Sequence, residues 1–409
     1  MLSLHARAVA LAAALLPGLT AAAPLSLEEA LELAVRRAEA VRAARAGAAS
    51  ASQSAEAAGQ LPDPMLGVSL ENLPVTGRDR LHTGRESMTM KRIALAQEWV
   101  SADKRALRTA AGRAMAAREA ASVAAAAADT RLQTALAYVE AFYASEALKL
   151  TGANAALARE AEEAARARLS AAAGAAPDAL ALAAAHGMAE DELAETRQQS
   201  AAALVGLARW TGVTPDGLSL PELGSLVTEQ AFVERHPMVA VKRREIEVAS
   251  QEAAVTASNR QPNWTWEMAY SQRSTFSDMV SLGVRIPLPV APAARQDRDT
   301  ASKLALVHKG EAELAEALRA AEAEYRVLSN DAIRLQERIK VFEANVLAPA
   351  RQRAATATAA YGSNQAPLSM VFEARQAELT AQRRLLNLRR DLAKALAQLN
   401  FKPLKLGEL

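Results

Sequence analysis

The sequence predicts a mainly α protein with a small β part, built as two copies of one helix, β-hairpin, helix unit. Three observations predict it. Gly174-Ala175-Ala176-Pro177 and Asn364-Gln365-Ala366-Pro367 stand 190 positions apart, each after one long helical pattern and before another. Alanine is abundant and only 4% of residues are aromatic, which suits long helices packed through small side chains better than one thick core. Runs of apolar and polar alternation occur once in each half, just before the longest helix.

The chain opens with His5 and Arg7, an apolar run from Ala8 to Leu16, the breakers Pro17 and Gly18, and Leu19-Thr20-Ala21-Ala22-Ala23-Pro24. This is the layout of a signal peptide, with 1–22 removed by cleavage after Ala22 and Ala23 as the alternative site. The apolar run falls far short of the ~20 residues that span a bilayer. Loss of Arg7 from the 48 basic residues leaves 47 against 46 acidic ones, so nucleic acid is not an expected partner. Cysteine is absent, which excludes disulfides, a thiolate metal site and a thiol nucleophile. After the leader no uninterrupted apolar segment reaches ~18 residues, so any crossing of a membrane must use strands.

In order, we read an N-terminal helix in 23–61, a first β-hairpin in 62–100, and a first long helical hairpin in 101–212. A linker and the helix of the second repeat occupy 213–261, a second β-hairpin 262–293, a second long helical hairpin 294–401, and a tail 402–409. Gly and Asn take a left-handed backbone most readily, as a reversing helix requires, and Pro suits the first turn of the helix that follows. Gly174 and Asn364 are therefore expected to stop the outgoing helices at positive φ, with Pro177 and Pro367 starting the return helices. From Pro177 to Trp210 and from Pro367 to Asn400 is 33 steps in each half.

The outgoing helices should run from about Ala102 to Ala173 and Ala294 to Tyr361, rods of roughly 100 Å at ~1.5 Å per residue. Leu304, Val307, Leu314, Leu318, Tyr325, Leu328, Leu335, Ile339, Phe342 and Val346 follow steps of three and four, a coiled-coil seam. Pro349 marks a kink. Leu27 to Ala58 and Thr228 to Asn259 supply shorter helices that complete each return path.

Trp264, Trp266, Met268 and Tyr270 alternate with Thr265, Glu267, Ala269 and Ser271. Val280, Leu282, Val284 and Ile286 alternate with Ser281, Gly283 and Arg285. In the first half Leu66, Val68 and Leu70 alternate with Gly67, Ser69 and Glu71, whereas 87–99 shifts phase near Arg92 and Ile93, where a bulge is expected. Such alternation also fits a soluble sheet with one face on a core. The charged opposite face, the strand lengths and Trp99, Trp264 and Tyr270 near strand ends fit a barrel wall instead, with Ser69, Glu71, Glu267, Ser281 and Arg285 toward the lumen. Four strands cannot close a barrel, and eight fill their own interior, so at least three copies should share one. Pro74 to Glu86 and Arg273 to Asp278 would be external loops.

This order of elements resembles the TolC family of trimeric outer-membrane efflux channels over essentially the whole mature sequence. Leu61-Pro62-Asp63-Pro64, Ile286-Pro287-Leu288-Pro289 and Leu347-Ala348-Pro349 with Tyr361 carry the likeness. Glu71-Asn72-Leu73-Pro74-Val75-Thr76-Gly77, Met88-Thr89-Met90-Lys91-Arg92 and Gln97-Glu98 are similar to the heavy-metal, CzcC-like and CusC-like branch. The resemblance implies a homotrimer with a twelve-stranded barrel in outer-membrane lipid and a periplasmic α-helical barrel. It also implies docking of the tips around Gly174, Pro177, Asn364 and Pro367 to a periplasmic adaptor, a membrane fusion protein. An inner-membrane proton-driven pump of the RND type would complete the assembly. Such channels close near the start of the last return helix, often with two acidic rings. Here those positions are Met370 and Glu373, so only one acid is kept.

No catalytic, cofactor or metal site is expected. His82, His186, His236 and His308 lie apart with no metal-ligand spacing, and Met88 with Met90 reads as apolar wall. The charge runs Glu190, Asp191, Glu192, Glu195 and Lys242, Arg243, Arg244 read as solvated helix faces. Lacking a phosphate loop or a nucleophile motif, the chain must draw energy from a partner. The rival class is a periplasmic coiled-coil adaptor or scaffold without a pore, against which the paired hairpins argue.

Overall fold

The computed structural model describes residues 24–171, 176–363, 365–405 and 407. In chain order these form α1 (Leu27–Arg37), α2 (Glu39–Ala58), β1 (Met65–Glu71), β2 (Met90–Trp99), α3 (Ala102–Ser170) and α4 (Ala176–Thr211). There follow α5 (Glu229–Glu234), α6 (Pro237–Ser258), β3 (Trp264–Gln272), β4 (Met279–Arg285) and α7 (Gln296–Phe342). A π turn (Glu343–Leu347), α8 (Ala348–Gly362) and α9 (Leu368–Phe401) complete the chain. The strands make one four-stranded antiparallel sheet in the order β1-β2-β3-β4. The protein is thus mainly α with a small sheet, as its sequence predicts.

Helix starts follow local chemistry. Ser26 and Glu29 form a capping box before α1: the Glu29 amide donates to Ser26 Oγ at 3.3 Å, and the Ser26 amide donates to Glu29 Oε2 at 3.0 Å. Thr228 caps α5 in the second half, accepting the Ala231 amide at 3.3 Å. The shorter helices of both halves, which the sequence predicts to be continuous, are each broken, at extended Ala38 (ψ 112°) and at the Arg235–His236 junction. Pro237 opens α6 and explains its break, because proline pushes the preceding residue out of helical geometry.

The second outgoing helix is likewise divided. Before Pro349 the chain widens into the π turn, where the Ala348 amide donates to the Glu343 carbonyl five residues back. The proline ring would collide with a carbonyl four residues back, and the wide turn relieves that crowding. The expected bulge in β2 is absent. Every residue from Met90 to Ala96 faces a consecutive partner on β1, and every residue from Lys91 to Trp99 one on β3. The apparent phase shift arises because Met90 stands on the same face as Arg92, Ala94 and Ala96.

The chain divides into two compact units, Met1–Arg37, Thr130–Ser225 and Asn330–Gln398 in one, and Ala38–Asp129, Leu226–Ser329 and Leu399–Leu409 in the other. In the first, Ala155, Ala158, Ala161 and Ala165 of α3 mesh with Ala179, Leu182, Ala189 and Leu193 of α4, and Phe372 of α9 closes the cluster. Leu347, Ala381 and Leu385 form a second core, and Ala354, Ala357 and Ala374 a third. In the second unit Val233 and Val239 pack on Ala317 and Ala321, while Leu404 inserts among Ala124, Ala128 and Ala240. The seam is therefore made largely of alanine. Of the predicted seam residues, Leu314 and Leu318 flank one core and Ile339 and Phe342 another, whereas Leu304 and Val346 are exposed.

Two tyrosines mark the repeat at a level the sequence did not reveal. The buried Tyr138 hydroxyl of α3 lies 2.7 Å from the Leu25 carbonyl oxygen and 2.8 Å from that of Ser219, where Leu25 and Leu218 form a short parallel bridge. Tyr325 of α7 donates to the Val227 carbonyl at 2.9 Å. In each half a phenol from the outgoing helix thus grips the backbone that leads into the first short helix.

Candidate functional site

The register of the sheet decides which side chains share a face. Leu66, Leu95, Met268 and Leu282 stand in one row across all four strands, and Val68, Ile93, Tyr270 and Val280 in the next. Gln97, Trp266 and Val284 continue that face toward the Trp99–Trp264 pair, whose ring centroids are 6.1 Å apart. Ile286 follows β4 and is exposed. The other face carries Ser69, Arg92 and Ser271 in one row, Gly67, Ala94, Ala269 and Ser281 in another, then Glu267 and Arg285 on successive rows.

On the two central strands, β2 and β3, burial is the reverse of that in a soluble sheet, with the polar face the less exposed one. On the apolar face Leu282 is 79% and Val68 75% exposed, and no second layer covers them among the described residues. On the polar face Ala269 is 1% and Ser271 2% exposed. Soluble monomers rarely present apolar patches larger than a few hundred Å². Among the described residues both edges, β1 and β4, are left without a pairing strand.

One acidic or basic side chain from each strand forms a chain of alternating sign over the polar face. Arg92 Nη1 lies 3.0 Å from Glu71 Oε1, its Nη2 contacts Glu267, and Arg285 Nη2 lies 3.5 Å from Glu267 Oε2. Sequence reasoning named Glu71, Glu267 and Arg285 but missed Arg92, the link between them. Keeping Lys91, Ile93 and Leu95 in one phase would have placed Arg92 on the polar side.

At the helical end of the sheet, buried Lys104 donates to the Gln261 carbonyl at 2.7 Å and to Asn263 Oδ1 at 2.8 Å, and Asn263 Nδ2 reaches Glu98 at 2.7 Å. Desolvation, with Arg108 nearby, pushes the Lys104 pKa below the usual lysine range. At the opposite end the two hairpin loops are tied together. Arg273 Nη1 donates to the Ser87 carbonyl at 3.2 Å, and Thr275 Oγ1 donates to that of Gly84 at 2.5 Å.

Met370 and Glu373 lie one turn apart in the first turns of α9, both exposed, with Phe372 and Ala374 buried behind them. Pro177 is the second residue of α4, and Pro367 precedes α9. Gly174 and Asn364 lie outside the described residues. Among the described residues no three metal-ligating side chains cluster, and no helix is long and apolar enough to cross a membrane.

The fold agrees with that of solved outer-membrane channels. The outer membrane protein VceC of Vibrio cholerae superposes with a TM-score of 0.73 at 19% identity, over 92% of this chain and 95% of that one. The CmeC outer membrane channel of Campylobacter jejuni gives 0.76 at 13% identity, over 92% and 85%. CusC, described as forming a transmembrane channel, gives 0.75 at 12% identity, over 93% and 92%. At these identities the likeness establishes the fold, and it sets CusC no nearer than the others. The sequence matches no family model and no curated protein.

Proposed function

We propose that this chain is the outer-membrane channel of a tripartite efflux system, three copies joining their four strands into one twelve-stranded barrel. The observation that carries this reading is the exposed apolar face of a sheet with two open edges. Lipid covers such a face, and further copies satisfy such edges. In this reading Trp264, Trp266, Met268, Tyr270, Val280, Leu282, Val284 and Ile286 face lipid. Ser69, Glu71, Glu267, Ser281 and Arg285 line the lumen, joined by Arg92. The helical hairpins stand in the periplasm, and the tips at Gly174, Pro177, Asn364 and Pro367 meet the adaptor.

Transport is passive. Substrate handed over by an inner-membrane, proton-driven pump passes a gate formed at Met370 and Glu373, then leaves through the barrel. Heavy-metal cations are the proposed cargo, which rests on the resemblance of Glu71 to Gly77 and 88–92 to the metal branch. The non-pore scaffold reading gives no role to the uncovered apolar face.

Two measurements test the proposal. Purified protein in planar bilayers should conduct ions, and a deletion strain should become sensitive to heavy-metal salts while keeping its tolerance to organic drugs. Release of the protein by carbonate washing would return the scaffold reading. Sensitivity to drugs alone would overturn the metal cargo and leave the channel standing.

A further inference from the structure

His236 sits at the α5–α6 junction, 6% exposed, and neither ring nitrogen has a well-aligned hydrogen-bond partner among the described residues. Its surroundings come from three directions. Phe232 of α5 lies against the imidazole at 5.7 Å between centroids and contributes no charge. From α7 comes Glu324, whose Oε2 is 3.5 Å from His236 Nε2 without the alignment of a hydrogen bond, and the C-terminal segment brings Lys402, which pairs with Glu324. The neighbouring Arg235 turns its guanidinium back to the Ala231 carbonyl at 3.1 Å. The backbone closes the same junction: the Leu404 amide donates to the Arg235 carbonyl at 2.8 Å, and the Leu404 side chain is buried.

The internal repeat provides a control. In the first half the corresponding helix break falls at Ala38, the residue before the gripping tyrosine is Ala137, and the residue after the return helix is Gly212. None of the three charged or titratable groups is therefore required by the shared architecture. In the second half all three stand where the Lys402 to Leu404 segment meets the α5–α6 junction.

We propose that His236, Glu324 and Lys402 form a proton-responsive latch that holds the segment Lys402 to Leu404 on the α5–α6 junction at neutral pH and releases it in acid. Docked, the imidazole is neutral and Lys402 holds Glu324. A protonated imidazole in this site faces Lys402 as a like charge and competes with it for Glu324, so opening, which hydrates the ring, is favoured. Burial and Lys402 lower the His236 pKa in the docked state. The docked form is thus fully favoured above the ordinary histidine value of about 6.5, and that advantage is lost as pH falls below it. The latch is independent of what the channel carries.

Amide hydrogen exchange of the full-length protein in detergent tests this directly, because the Leu404 amide is itself the closing bond. After correction for intrinsic exchange, its protection should fall by up to about tenfold per pH unit between pH ~6.5 and ~5.5. His236→Phe should keep Leu404 protected throughout, and His236→Gln gives the same reading should the Phe variant fold poorly. Lys402→Met should weaken protection already at neutral pH. Unchanged wild-type protection in acid, or the same fall in a folded His236 variant, would overturn the latch without touching the channel reading.

Discussion

The proposed lipid and lumen faces are contrasted most sharply by Leu282 and Ser281, adjacent on β4 and on opposite faces of the sheet. Leu282→Arg should place a charge in the hydrocarbon at a cost of roughly 2 to 4 kcal/mol near the midplane, and the protein should be lost from the outer-membrane fraction. Ser281→Arg should assemble normally and alter single-channel conductance. Equal tolerance at the two positions would mean that the faces are wrongly assigned to lipid and lumen. The gripping tyrosines are a second residue-scale case. Tyr138→Phe and Tyr325→Phe should each lower thermal stability by about 1 kcal/mol, the usual net worth of one intramolecular hydrogen bond. A loss of 3 kcal/mol or more from either would show that the phenol does more than bond a carbonyl.

Helix against helix, the decisive feature is close approach through small residues. A Cβ added to Gly112 of α3 would lie 2.7 Å from the Cα of Ala55 on α2, backbone that cannot swing aside. Gly112→Ala should therefore push α2 from α3 and cost about 1 to 3 kcal/mol in thermal unfolding. Gly152, on the same helix, meets nothing within 4 Å, so Gly152→Ala should raise stability by up to about 1 kcal/mol through helix propensity. If both substitutions stabilised alike, the α2–α3 contact would be looser than described. At this scale much was legible in the sequence: breakers and hydrophobic period placed the strands and the start of α3 at Ala102. The π turn, the break at Ala38 and the alanine seams were not. Alanine fits any face of a helix, so its sequence carries no phase; the neighbouring helix selects which alanines are buried.

For the whole molecule, the proposed channel covers two open sheet edges with further copies and an exposed apolar face with lipid or detergent. The purified protein should sediment as a trimer in mild detergent, with circular dichroism dominated by helix and a minor strand component. A monomer with full conductance would contradict the shared barrel. Barrel closure by two copies would leave eight strands, an interior wide enough only for side chains, and should show no conductance.

The sequence by itself determined the class of fold, the duplication, the order of elements and the alternation of β1, β3 and β4. These depend on periods of two and 3.6 residues and on Gly, Asn and Pro, all of which act within a few positions of the chain. Tertiary structure decided what lies far apart in sequence, such as Arg92 meeting Glu267 across 175 positions, or the Lys402 segment closing over His236. It also decided that the apolar face of the sheet is the open one. Alternation is the same whether the apolar side meets a core or not, and only the fold shows that no second layer lies over Leu66, Met268 and Leu282 among the described residues.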